Sequence, residues 1–201
     1  MEEMKRQIIE AQKEMLLSVE RKGMKELVEY MEEKGFFTSP ASSKYHGNYE
    51  GGLAEHCDNV YVLFSNMLHS FDIFVSESTR IICGFGHDLC KMGAYKLINE
   101  NKNDYVNSLL NKKEYMWNQD HPKGHAKLSL AILKKFIELK PIEEEIILYH
   151  MGMYGTKEFS ASNGEYSIHD LSDVFNRNKL AKLFYFCDDM SSQFLEEKKD
   201  V

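Results

Sequence analysis

Apolar side chains recur every three or four positions over most of the chain. Between residues 2 and 33 they fall at Ile8, Ile9, Met15 and Leu16, then at Met24, Leu27, Val28 and Met31. This spacing predicts two amphipathic helices broken near Lys22-Gly23. Residues 36–43 read as a loop, because Pro40 disfavours helix at Ser39 and the small polar residues compete for backbone hydrogen bonds. Helical spacing returns over 53–68 and 77–90. The second of these is nearly apolar throughout (Ile81, Ile82, Phe85, Leu89), as a buried helix is. The stretch 94–120 breaks the pattern: Tyr95-Lys96-Leu97-Ile98-Asn99 and Glu114-Tyr115-Met116-Trp117-Asn118 flank a polar Asn101-Lys102-Asn103-Asp104 turn, which predicts a small hairpin excursion. Three more helices are expected over 123–139, over 141–151 with Pro141 at its first position, and from 178 to about 197. The stretch 152–173 reads as a connector. With no internal repeat, the expected fold class is mostly α: one compact unit in which N-terminal helices (1–43) pack on a domain spanning 44–201.

Composition narrows the picture. In 201 residues, 43% hydrophobic and 28% charged side chains with 3 prolines and 12 glycines exclude a disordered or collagenous chain. A formal net charge of −7 repels duplex nucleic acid, leaving small anions held by a metal as the partners to consider. No apolar run reaches the roughly 18 residues of a membrane span, and Met1-Glu2-Glu3-Met4-Lys5-Arg6 lacks the apolar stretch of a signal peptide, so a soluble, cytoplasmic protein without membrane contact is expected. Cys57, Cys83, Cys90 and Cys187 show no CxxC spacing and read as reduced core residues.

The candidate chemistry lies in the histidines. His56 follows Gly51-Gly52; His87 and Asp88 are adjacent near the end of an apolar helix; His125 and His150 fall on the next two helices; Asp188 and Asp189 interrupt the last. Neutral imidazole with carboxylate is the usual ligand set of catalytic divalent metals. An ionised aspartate inside Ile81-Ile82-Cys83-Gly84-Phe85-Gly86-His87-Asp88-Leu89 costs several kcal/mol, on the order of an unpaired buried charge, unless something positive stands beside it. Asp188 lies closer than Asp189 to the face carrying Leu180, Phe184 and Cys187, which makes Asp189 the second choice. Other features have plain explanations. His69 and His169 read as surface residues, the Met-rich N-terminal helices as core or as a surface for homo-oligomer formation, and Glu143-Glu144-Glu145 as acidic groups at a helix N-terminus. Tyr95, Tyr115 and Trp117 read mainly as packing aromatics, with base stacking as the alternative.

The order of these residues resembles the HD-domain superfamily of metal-dependent phosphohydrolases. His46-Gly47-Asn48-Tyr49-Glu50-Gly51-Gly52-Leu53-Ala54-Glu55-His56 is similar to its opening motif and His87-Asp88-Leu89-Cys90-Lys91 to its HDxxK signature. Gly124-His125-Ala126 and Tyr149-His150-Met151-Gly152 are similar to its third and fourth histidine motifs. The likeness covers about three quarters of the chain, roughly 44–197. Two positions depart: Met151 stands where one subset of the family has a further histidine, and Cys90 replaces a glycine.

The resemblance implies an HD-domain helical bundle and a metal set of His56, His87, Asp88, His125, His150 and Asp188. Asp88 would bridge two divalent ions drawn from Mn, Fe, Mg, Co or Ni. It also implies catalytic roles for Asp88 and Lys91, with Lys91 on substrate phosphate. His121 and Lys123, beside the third motif, are further candidates for substrate binding. The implied activity is hydrolysis of a small phosphorylated substrate, a nucleotide or similar ester, by metal-activated water. Three alternatives stand beside it: a phosphodiesterase or exonuclease variant, a diiron oxygenase built on the same six ligands, and a non-catalytic nucleotide sensor.

Overall fold

A computed structural model describes residues 2–98, 115–160 and 164–196. Helices dominate: α1 (Glu2–Leu17), α2 (Met24–Glu33), α3 (Gly52–Ser70), α4 (Glu77–Gly86), α5 (Ala126–Lys134), α6 (Pro141–Tyr149), α7 (Ile168–Arg177) and α8 (Lys179–Met190). Two short strands, β1 (Tyr95–Leu97) and β2 (Tyr115–Trp117), pair antiparallel with Tyr95 opposite Trp117. The Asn101-Lys102-Asn103-Asp104 turn expected between them lies outside the described residues.

Several helices begin where the sequence supplies a start signal. The Ser76 hydroxyl accepts from the Thr79 amide to open α4, Pro141 occupies the first turn of α6, and Asn178 Oδ1 accepts from the amides of Leu180 and Ala181 to open α8. The core lies where α3 packs on α4 and α8 and α6 packs on α8 and α4. Phe36, Phe64, Phe85 and Phe184 are its largest fully buried side chains. The α3–α4 contact is close because Gly84 has no side chain: an added Cβ would stand 2.6 Å from Tyr61 Cβ and 3.0 Å from Tyr61 Cα. Among the described residues, no helix is long and apolar enough to cross a membrane.

Four expectations need correction. The helix expected over 77–90 ends at Gly86; Asp88 has φ −112° and ψ 20°, and Leu89–Lys91 form a 3-10 turn. The helix expected over 123–139 is only α5, because Gly124 stands at φ 123° and His125 at φ −128°, ψ −90°, outside helical geometry. His125 and His150 are thus a helix N-cap and a helix C-cap rather than interior positions. The connector over 152–173 carries most of α7, opened by a capping box in which Ser167 Oγ accepts from the Asp170 amide and Asp170 Oδ2 accepts from the Ser167 amide. Finally, Glu143 is more than an acidic residue near a helix N-terminus. Its side chain is fully buried, takes both terminal nitrogens of Arg21 at 2.6 Å, and accepts from the Thr79 hydroxyl at 2.7 Å.

Candidate metal centre

Six of the residues singled out from sequence converge, and the fold brings them in from different elements. His56 comes from the second turn of α3 and Asp188 from the last turns of α8, while the rest sit at helix ends. Adjacent side chains on a helix point about 100° apart. By leaving the helix after Gly86, the chain turns both His87 and Asp88 toward the same point.

Asp88 stands at the middle. Its Oδ1 faces His125 Nε2 at 3.0 Å and His150 Nε2 at 3.5 Å. Its Oδ2 faces His56 Nε2 at 3.5 Å, His87 Nε2 at 3.6 Å and the Lys91 ammonium at 2.6 Å. Asp188 Oδ1 closes the second half, 3.1 Å from His56 Nε2 and 3.8 Å from His87 Nε2. Asp189 joins none of the candidate ligand groups found among the described residues.

The outer nitrogen of every imidazole is engaged. His87 Nδ1 lies 2.8 Å from the Gly84 carbonyl and His150 Nδ1 lies 2.6 Å from the Ile147 carbonyl. His56 Nδ1 lies 2.7 Å from Glu196 Oε1, and His125 Nδ1 lies 3.4 Å from the Cys90 sulfur. A carbonyl only accepts, so Nδ1 of His87 and of His150 must carry the proton, and in the neutral ring Nε2 then offers a lone pair inward. Asp88 Oδ1, His125 Nε2 and His150 Nε2 are buried with no hydrogen-bond geometry to any partner. Lone pairs from several imidazoles and two carboxylates aimed at one another demand protons or a cation between them. The donor set of nitrogen and oxygen suits a divalent transition metal.

Electrostatics agree. Burial would raise the Asp88 carboxyl, but the positive charge of Lys91 and the surrounding imidazoles hold it well below the carboxylate range. Burial pulls His87 down to about 4, keeping it neutral. For His56 and His125 burial acts in the same direction but is outweighed. Hydrogen bonds to Asp188, Asp88 and Glu196 hold His56 well above its usual value, and the Cys90 sulfur and Asp88 carboxylate lift His125 to about 10.

No family model, curated protein or solved structure matches this chain.

The residues expected to meet substrate take three different positions. Lys91, its side chain 13% exposed, is ion-paired to Asp88 rather than free in solvent. His121 commits Nε2 to the Cys90 carbonyl at 2.6 Å and packs edge-on against Trp117. Lys123 is exposed and, with Trp117, His125, Met151 and Tyr154, lines a cavity of about 440 Å³ beside the cluster. Glu165, in the same wall, accepts from the backbone amides of His125 and Lys127 and so fixes the non-helical turn that presents His125. A larger groove of about 720 Å³, between the α1–α2 and α5–α6 connections, contains none of the cluster residues.

Three contributors escape sequence reasoning. Glu196, expected near the end of the last helix, lies beyond it and is buried against His56. Cys90 and the Glu165 carboxylate act on His125 across 35 and 40 residues. No short-range pattern encodes such pairings.

Proposed function

We propose that this chain is a cytoplasmic, metal-dependent phosphohydrolase of the HD type that cleaves a small phosphate ester, with nucleotides the first class to test. The observation that carries the reading is the arrangement of four imidazole Nε2 atoms and Asp188 around the two oxygens of Asp88. One ion would be held by His56, His87, Asp188 and one oxygen of Asp88, and a second by His125, His150 and the other. When bound, the ions supply a water acidified toward neutral pH and counter-charge for phosphoryl oxygens.

The protein's own groups prepare the rest. Each anchored Nδ1 fixes a ring before any ligand arrives, so little reorganisation accompanies binding. Lys91 holds a fixed positive charge against Asp88, where it can orient a phosphoryl oxygen. The cavity beside His125 provides aromatic and methionine surface for the remainder of an ester, with Lys123 in its wall. Four free, buried cysteines suit a reducing compartment.

The test is elemental analysis of the purified protein, together with phosphate release from a panel of nucleotides and simple phosphate esters with Mn²⁺, Mg²⁺, Co²⁺, Ni²⁺ or Fe²⁺ added. About two ions per chain with phosphate release is the expected result. Two irons with oxygen consumption and no phosphate release would instead make the chain an oxygenase, and absence of any metal uptake would remove the reading altogether.

A further inference from the structure

His56 has an outer side as well as an inner one. Its Nε2 belongs to the central cluster, while its Nδ1 is bonded to Glu196 Oε1, which also accepts from the Ser191 hydroxyl at 2.9 Å. Near this outer side the other carboxylate oxygen, Glu196 Oε2, is buried without a hydrogen-bond partner, although the residue is only 6% exposed. His46 Nε2 is in the same condition, and so is Asn48 Oδ1 two residues further along the loop.

The histidines and the glutamate are close together. One ring nitrogen each from His46 and His56 and one oxygen from Glu196 all lie within 4.8 Å of one another, and the His46 and His56 ring centroids are 5.1 Å apart. The loop that carries His46 is fixed: the Ser42 hydroxyl donates to the His46 carbonyl, and the Ala41 amide donates to the Gly47 carbonyl. Gly47, at φ 55°, permits the close approach, since an added Cβ would stand 2.7 Å from Ala41 Cβ and 3.4 Å from Glu196 Oε2.

His56 is shared with Asp88 and Asp188 and cannot alone balance Glu196 as well. An orphaned oxygen of the buried Glu196 carboxylate beside an unpartnered imidazole nitrogen leaves a buried charge to be offset, which a water molecule does not do.

We propose that His46 and Glu196 form an accessory site for a divalent cation of the Zn²⁺ or Mn²⁺ class on the outer side of His56, with Asn48 as a further oxygen donor on the same loop. The site is separate from the central cluster and depends on that reading only through the shared His56. Its occupant would tie the 42–51 loop to the segment that follows α8.

Crystals of the full chain grown with Zn²⁺ and examined by anomalous diffraction at the zinc edge test this directly. The wild-type protein should show a peak at bonding distance, about 2.0–2.2 Å, from His46 and Glu196 in addition to density around Asp88. His46→Ala should lose that peak and one Zn²⁺ per chain while retaining the central ones. Peaks confined to the surroundings of Asp88, or an outer peak that survives His46→Ala, would overturn the accessory site and leave the proposed function untouched. A peak at His46 and Glu196 with nothing at Asp88 would uphold this site and overturn the central one. The wild-type map decides the matter even if the variant fails to fold.

Discussion

Asp88 touches both halves of the cluster, so its removal should act on both. Asp88→Ala is expected to lower metal retention and turnover by at least about 100-fold, more than a change in a supporting residue brings, with helical content by circular dichroism unchanged. Lys91→Ala should separate the two effects, keeping bound metal while weakening phosphate binding or turnover; loss of metal would assign the lysine to the ligand sphere instead. The buried Arg21–Glu143 pair governs stability in a different way. Removing Arg21 strands a fully buried carboxylate, and Arg21→Ala should cost about 3–5 kcal/mol at neutral pH. Burial alone would raise the Glu143 carboxyl, but Arg21, the Lys140 amide and the Thr79 hydroxyl bring it below its ordinary 4.5. The stabilisation is therefore full above about pH 4.5 and is lost as the pH falls through the lowered value. Urea midpoints of the two proteins, well separated at pH 7, should converge under acid conditions.

At the scale of elements, helix ends matter more than helix interiors. Periodicity reveals α2, α3, α4 and α6 because each buries a continuous apolar stripe, whereas the ends depend on single backbone angles and distant partners. The turn at His87 and Asp88 is held by the Gly84 carbonyl, and that at His125 by Glu165 from 40 residues away, so neither stop was legible. Helix α7 escapes the periodicity although its signals are present: Ser167 and Asp170 form a capping box, and Leu171 and Val174 are its buried residues. Its polar remainder hid them. Ser167→Ala should destabilise the protein by about 1 kcal/mol, read from thermal or urea unfolding. Gly84→Ala should do more. The methyl would force α4 away from Tyr61 on α3 at a cost of about 1–3 kcal/mol, and it would shift the carbonyl that orients His87. Metal affinity should fall along with stability in that variant, by isothermal titration, whereas Ser167→Ala should leave affinity intact.

For the molecule as a whole, residue identity and order foretold which side chains meet, since the six candidates assemble around one point. What is not legible is how they are held: the sulfur behind His125 and the carboxylate behind His56 both depend on tertiary packing. If the folded chain binds cations that the unfolded chain does not, saturation at 100 times the dissociation constant should add about 2.7 kcal/mol. Thermal unfolding should then shift upward by several degrees with added Mn²⁺ or Zn²⁺ and return on chelation; an unchanged melting temperature at saturating metal would contradict a buried site. The contact between His56 and Glu196 joins residues 140 positions apart. During synthesis on a ribosome, α3 and the first histidine emerge long before α8 and the segment that closes behind it. If the cluster binds an ion as proposed, a nascent chain would offer loose histidines to passing ions well before it could enclose one, and selectivity among metals would begin only after Asp188 and Glu196 have left the exit tunnel.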